Sequence, residues 1–256
     1  MALKVDLNSD LGEHFGAWTI GDDAAVMKHV SSANVACGFH AGDPQAMLRT
    51  VEMAIENGVA VGAHPGHADL LGFGRRNMVV SPGEVYAYCL YQIGAMRTLA
   101  GARGLALQHV KPHGALYNQC ASDLSLAIGA AEAVRDAGGD LILMGLANSE
   151  FEKAAAEAKV PFAAEAFADR AYQPNGRLVP RSKPGSVIHD PEEAARRVVR
   201  MVTEGVVTAE DGSSVALRPQ SICLHGDTPE AVENARLIRN ALEAAGVTIA
   251  PLREIV

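Results

Sequence analysis

Four times along this chain a capping residue is followed at once by proline: Asp43-Pro44, Ser81-Pro82, Asp190-Pro191 and Thr228-Pro229. The first side chain accepts from the free N–H groups of a helix's opening turn, and proline, with φ fixed and no N–H to lose, suits the first helical position. Each pair therefore predicts a helix start. Glycines stand where helices should close, at Gly58, Gly104, Gly138-Gly139 and Gly246, because glycine takes the left-handed conformation that a C-cap needs. Apolar runs of strand length fall between these marks, near residues 3 to 8, 32 to 38, 59 to 64, 106 to 111, 140 to 146, 161 to 167, 220 to 225 and 247 to 250. Strand and helix thus alternate in seven or eight units, and that alternation implies parallel βαβ connections.

Residues 1 to 256 read as one domain, since α/β barrels commonly use a chain of this length as a single unit. Hydrophobic residues make up 48% and charged residues 20%, enough apolar material for a sizeable core and too little charge for disorder. The formal charge of −8 argues against nucleic acid as a partner, which would need clustered Lys and Arg. It still permits local binding of a small anion. Cys37, Cys89, Cys120 and Cys223 form no C-x-x-C pair and are too sparse for a disulfide framework, so reduced thiols are expected. The opening residues lack the apolar stretch of a signal peptide, and no apolar run reaches the ~18 residues of a membrane span. The expected location is the cytoplasm, away from any membrane.

Two stretches break the rhythm: residues 65 to 80, rich in glycine and carrying Arg75-Arg76, and residues 169 to 189, with Tyr172, Asn175-Gly176 and Lys183-Pro184-Gly185. Long loops in a compact fold are usually functional or mobile. Residues 206 to 217, with Asp211-Gly212 between alternating flanks, read as a small hairpin inserted before the seventh strand.

Side chains alternate faces along a strand, so polar residues two apart share a face. Lys4, Asp6, Asn8 and Asp10 do so in the first strand, Ser32, Asn34 and His40 in and after the second, and His109, Lys111 and His113 in the fourth. The third strand ends in His64, the sixth delivers Glu165 with Asp169, and the seventh His225 with Asp227. Any one of these is most simply a buried polar group satisfied by a neighbour. Six strands delivering such groups toward their carboxyl ends point instead to a barrel with a polar inner rim, because ligands collect at that end of parallel α/β folds.

Asp10 and Glu13 suit acid/base work or a hard cation such as magnesium. Lys111, in Val110-Lys111-Pro112-His113-Gly114, offers a compact cation for a phosphate or a developing oxyanion; pairing with Asp6 or Asp10 is the structural alternative. His64 and His225 stand just before turns, placed to donate to a substrate or to ligate a metal. One of Arg75 and Arg76 can clamp a carboxylate or phosphate. His14, His29, His67 and His189 read as surface or loop residues, and Cys223 as core. No P-loop, no G-x-G-x-x-G after a strand and no H-E-x-x-H helix is present.

The segments Asp6-Leu7-Asn8-Ser9-Asp10-Leu11-Gly12-Glu13, Ala33-Asn34-Val35-Ala36-Cys37-Gly38-Phe39-His40-Ala41-Gly42-Asp43, Gly62-Ala63-His64-Pro65-Gly66, Gly72-Phe73-Gly74-Arg75-Arg76, Val110-Lys111-Pro112-His113-Gly114-Ala115-Leu116-Tyr117, Glu165-Ala166-Phe167-Ala168-Asp169-Arg170-Ala171-Tyr172 and Cys223-Leu224-His225-Gly226-Asp227 together resemble the LamB/YcsF family over essentially the whole chain. That resemblance implies a distorted (β/α) barrel of about seven parallel strands, similar to glycoside hydrolases and deacetylases. It implies one component of an ATP-dependent enzyme that opens 5-oxo-L-proline to L-glutamate, with ATP as cosubstrate, magnesium accompanying it, and two further subunits, B and C, as partners. The candidate catalytic residues are then Asp10, Glu13, Lys111, Glu165 and Asp169, and the candidate substrate contacts Asn8, His40, His64, Arg75, His113, Arg170 and His225. Gly66-His67-Ala68-Asp69 departs from the family pattern, which leads one to expect tyrosine or serine at His67 and proline near Ala68. A second reading is a divalent-metal hydrolase or deacetylase of a carbohydrate or amide, with Asp10, His40 and His64 as ligands. A third is a binding component without chemistry of its own.

Overall fold

The computed structural model describes residues 3 to 224 and 231 to 256. Seven parallel strands, β1 (Lys4–Leu11), β2 (Ser32–Ala36), β3 (Ala60–His64), β4 (His109–Val110), β5 (Ile142–Leu146), β6 (Phe162–Phe167) and β9 (Ser221–Leu224), pair in that order. β1 pairs back onto β9, with Asp6 opposite Ser221 and Asn8 opposite Cys223, and the sheet closes into a barrel. The two intervening numbers belong to β7 (Val206–Thr208) and β8 (Ser214–Ala216), the expected hairpin, which forms an antiparallel ribbon of its own. β10 (Thr248–Ile249) pairs with the first residues of β1.

The helices start where the caps predict. α2 (Pro44–Asn57) opens with the Asp43 carboxylate accepting from Gln45 and Ala46 N–H, and α7 (Pro191–Glu204) with Asp190 accepting from Glu192 N–H. At α3 (Pro82–Gly101) Ser81 and Glu84 cap each other's backbone, a reciprocal pair that satisfies two free donors. α2 stops at Gly58, whose φ of +67° is the left-handed turn glycine takes without strain. The start at Thr228-Pro229 lies outside the described residues; α8 is described over Ala231–Ala244. α1 (Asp23–Val26), α4 (Gly114–Ser122), α5 (Leu124–Ala137) and α6 (Glu150–Ala158) complete the outer layer.

Strand alternation divides the barrel into two chemistries. Val5, Leu7, Val35, Val61 and Ala63 belong to the apolar core that includes Met47, Val51, Ile93 and Met96 of the helices. Each fully buried Val, Leu, Ile or Met side chain there contributes roughly 1.5–3 kcal/mol. The opposite face turns Asp6, Asn8, Ser32, Asn34, His109, Glu165 and Ser221, all buried, into the barrel, where they bond to one another across strands. Ser31, Ser32 and Ser221 donate to the Asp6 carboxylate at 2.7, 2.6 and 2.5 Å. Gly62 lies opposite His109; a Cβ there would sit 2.2 Å from His109 Nε2, so only glycine leaves room for that ring.

The fourth strand is shorter than residues 106 to 111, with regular pairing confined to His109 and Val110, although Lys111 N–H still donates to Ala63 O at 3.0 Å. The loop of residues 169 to 189 is fastened from within. Arg170 donates through Nε to Ser186 O at 3.2 Å and through Nη2 to Val179 O at 2.6 Å, and Tyr172 Oη accepts from Phe167 N–H at 2.8 Å. No helix among the described residues is long and apolar enough to cross a membrane.

Candidate active site

A cleft of about 690 Å³ opens at the carboxyl ends of the strands, lined by Asp10, Glu13, His64, Lys111 and His113 on the barrel side. Arg75 from the first long loop and Arg170, Arg177 and Arg181 from the second line the remainder. An acidic chain has thus gathered four arginines around one concavity, an arrangement suited to anions such as carboxylate and phosphate.

Lys111 is the hub of the floor. Its Nζ lies 2.9 Å from Asp10 Oδ1, 2.8 Å from Glu165 Oε1, 3.2 Å from Asn8 Oδ1 and 3.2 Å from Cys223 Sγ. Burial works against the ammonium, but Asp10, Cys223 and Glu165 hold its pKa well above the usual lysine value. Burial likewise opposes the Asp10 carboxylate, and His64 and Lys111 outweigh it, keeping Asp10 ionised well below the normal range. Asn34 Nδ2 donates to Asp10 Oδ1 at 2.8 Å and to Asn8 Oδ1 at 2.7 Å, leaving Asn34 Oδ1 to accept from His109 Nε2 at 2.6 Å. Burial pushes His109 down to about 3, so it is a neutral donor. Glu165 accepts from Asn8 Nδ2 at 3.0 Å and from Tyr117 Oη at 2.7 Å.

Beside the hub, His40 and His113 stack with ring centroids 3.8 Å apart and 3° from parallel, and His64 meets both edge-on. Glu13, His40, His64 and His113, all buried, each bring one ligand-type atom within 4.8 Å of the others. Gln92 of α3 grips the neighbouring loop, accepting from Gly66 N–H at 3.0 Å and donating to Gly66 O at 2.9 Å.

The residues expected from the sequence divide three ways. Asp10, Glu13, His64, Lys111, His113, Arg75 and Arg170 line the cleft. Asn8, His40 and Glu165 lie behind it, fully buried; the Asn8 carboxamide is already shared among Glu165, Ser221, Asn34 and Lys111. Asp169 is not among the lining residues, and His225, with Asp227, lies outside the described residues.

Lys111, read as a cation for phosphate, instead holds two protein carboxylates, closer to its structural alternative. Arg76 is tied to Asp69, which leaves Arg75 as the cleft arginine. His67, expected at the surface or in a loop, is in a loop but buried, and bonds through Nε2 to Gln119 Oε1 at 2.7 Å. Arg177 and Arg181 went unread, although both sit in a long glycine- and proline-bearing loop, and that pairing of loop and charge was the available signal.

The sequence profile described as the LamB/YcsF family matches residues 5–256. A relative from Pyrococcus horikoshii, named as the A component of 5-oxoprolinase, is 53% identical over 254 residues, covering 99% of this chain and 100% of that one. The crystal structure of a lactam utilization protein from Thermus thermophilus superposes with a TM-score of 0.92 at 52% identity, over 97% of this chain and 99% of the other. A deacetylase solved with its substrate shares the fold alone, at a TM-score of 0.51 and 12% identity, over 99% of this chain and 90% of that one.

Proposed function

Because the chain belongs to the LamB/YcsF family, we propose that it is the A component of a 5-oxoprolinase, a hydrolase that opens 5-oxo-L-proline to L-glutamate using ATP. The observation that carries this reading is the 53% identity, end to end, with a relative bearing that name. The lettered name itself supports an assembly, here with two further subunits, B and C. The four buried free thiols suit a reducing cytoplasm.

A lactam carbonyl is a poor electrophile, since the ring nitrogen shares its lone pair with it. Transfer of the γ-phosphoryl group of magnesium-bound ATP to the lactam oxygen removes that protection. Water adds to the activated carbon, the ring C–N bond breaks as nitrogen takes up a proton, and a second water releases phosphate from the resulting acyl phosphate. The products are glutamate, ADP and phosphate. Of the two carboxylates on Lys111, Asp10 reaches the cleft and Glu165 does not. Asp10 accordingly receives the proton of the attacking water; its low basicity suffices once the carbon is activated. Arg75, Arg177 and Arg181 hold phosphoryl and carboxylate charge, with Arg170 keeping its loop in place. Lys111 sets the position of Asp10.

The test is glutamate release from 5-oxoproline and ATP by the purified chain, alone and mixed with its two partner subunits. Activity in the mixture only is expected. No glutamate in either case removes the reading, and ATP-independent hydrolysis of an amide would favour the metal-dependent hydrolase instead.

A further inference from the structure

The histidine cluster contains an arrangement that neutral protein atoms alone cannot satisfy. His64 Nδ1 lies 2.7 Å from Lys111 O, and His113 Nε2 lies 2.8 Å from Phe73 O. A carbonyl oxygen only accepts, so each of these nitrogens carries the ring's proton. With both rings neutral, the remaining nitrogens, His64 Nε2 and His113 Nδ1, bear lone pairs, and they face each other at 3.0 Å. Two lone pairs at that distance repel unless something positive lies between or beside them.

The surroundings are built for a positive charge. Glu13 Oε1 is 3.8 Å from His113 Nδ1, and Asp10 Oδ2 is 3.4 Å from His64 Nε2. His40 is fully buried, and neither of its ring nitrogens has a hydrogen-bond partner, which is costly for a group that normally finds one. Two glycines keep space for these rings. A Cβ on Gly66 would lie 2.5 Å from His40 Nδ1, and one on Gly74 would lie 2.8 Å from His40 Cβ and 2.9 Å from His113 Cδ2. The N–H to carbonyl bonds of His64 and His113 are the outer-shell contacts that fix ligating histidines by tautomer and orientation.

We infer that Glu13, His40, His64 and His113 form a binding site for one divalent transition-metal ion of the zinc class. Three imidazoles and one carboxylate suit zinc, cobalt and nickel better than calcium or magnesium, which prefer oxygen alone. Their ligand atoms lie within 4.8 Å of one another; to reach the ~2.0–2.1 Å bonds of a tetrahedral site they must draw inward, and the His40 and His113 rings, now 3° from parallel, must turn so that their in-plane lone pairs converge. The set differs from the Asp10, His40 and His64 suggested by the sequence. Lys111 and Asn34 already occupy Asp10 Oδ1, so Asp10 flanks the site and Glu13 and His113 complete it. This inference is independent of the ATP-dependent reaction.

The experiment uses the full chain, stripped with a strong chelator and titrated with Co²⁺, then with Zn²⁺. One equivalent of Co²⁺ should bind with the visible absorption of a low-symmetry nitrogen and oxygen site, and one equivalent of Zn²⁺ should bleach it. His40→Ala and His113→Ala should each weaken Co²⁺ binding at least 100-fold, and Glu13→Gln at least 10-fold, whereas exposed His189→Ala should leave it unchanged. Circular dichroism checks that each variant is folded; the wild-type titration stands even where a variant is not. Folded wild-type chain that binds neither ion stoichiometrically would overturn the inference, and would leave a proton shared between His64 and His113 as the resolution. Binding that survives both histidine substitutions would overturn it too.

Discussion

Lys111 at the exit of β4 and Glu165 of β6 meet at 2.8 Å with side chains only 2% and 0% exposed. Both charges are almost wholly shielded from water, so their energies are joined. Lys111→Met leaves the fully buried Glu165 carboxylate without its cation, next to the partly exposed Asp10, and should cost about 3–5 kcal/mol in urea unfolding. Adding Glu165→Gln to that variant should recover part of the loss, a coupling of about 1–3 kcal/mol. Strictly additive losses would show that the pair is not energetically linked.

Asp10→Asn separates chemistry from folding. Lys111 keeps Glu165, and an asparagine oxygen can still accept from the lysine, so the thermal midpoint should stay near that of the wild type. Glutamate release by the reconstituted complex should nevertheless fall by about 10²–10⁴-fold at saturating substrate. An unchanged rate would take Asp10 out of the reaction.

Asp6 gives a pH dependence of unusual sign. Burial, set against hydrogen bonds from Ser221, Ser32 and Ser31, raises it from 3.8 to about 6. Between those values the folded chain holds a proton that the unfolded chain has lost, so this contribution to stability falls as pH rises from about 4 through 6. The wild-type minus Asp6→Asn difference in unfolding free energy should therefore decline by about 2 kcal/mol between pH 4 and pH 7. A flat difference would mean that the carboxyl titrates normally.

Gly62→Ala should be severely destabilising, because its Cβ would fall within 2.2–2.5 Å of the His109 ring, far inside contact distance. The lost space belongs to one neighbour, so His109→Ala placed on top of it should restore part of the stability, although His109→Ala alone costs the bond to Asn34. Denaturation midpoints of the two single variants and the double variant decide this: absence of any restoration would mean that backbone geometry, not the ring, requires glycine.

Much of this site was legible because strands obey a simple period. The parity of Asp6, Asn8 and Asp10, and of His109, Lys111 and His113, placed them on one face, and the caps at Asp43, Ser81 and Asp190 located three helices. Parity says nothing of depth. It could not distinguish Asp10, which reaches the cleft, from Asn8, one layer further in. Nor could it show that Lys111 is claimed by two carboxylates, because Glu165 lies two strands further along the chain and its approach depends on barrel closure. The burial of the loop residue His67 was hidden for a related reason: Gln119, its partner, comes from a helix 52 positions later. Loop arginines carry no period at all, and Arg177 and Arg181 became visible only once the loop was folded over the cleft.

β1 takes its two barrel neighbours from opposite ends of the chain, β2 soon after it and β9 some 215 residues later. At a synthesis rate of roughly 5–20 residues per second, the second neighbour leaves the ribosome about 10–40 s after the strand that needs it. Until then the edge of β1 that later takes β9, Asp6 to Ser9, is open to pairing with any other extended segment. Slower synthesis lengthens that exposure without altering the stability of the finished barrel.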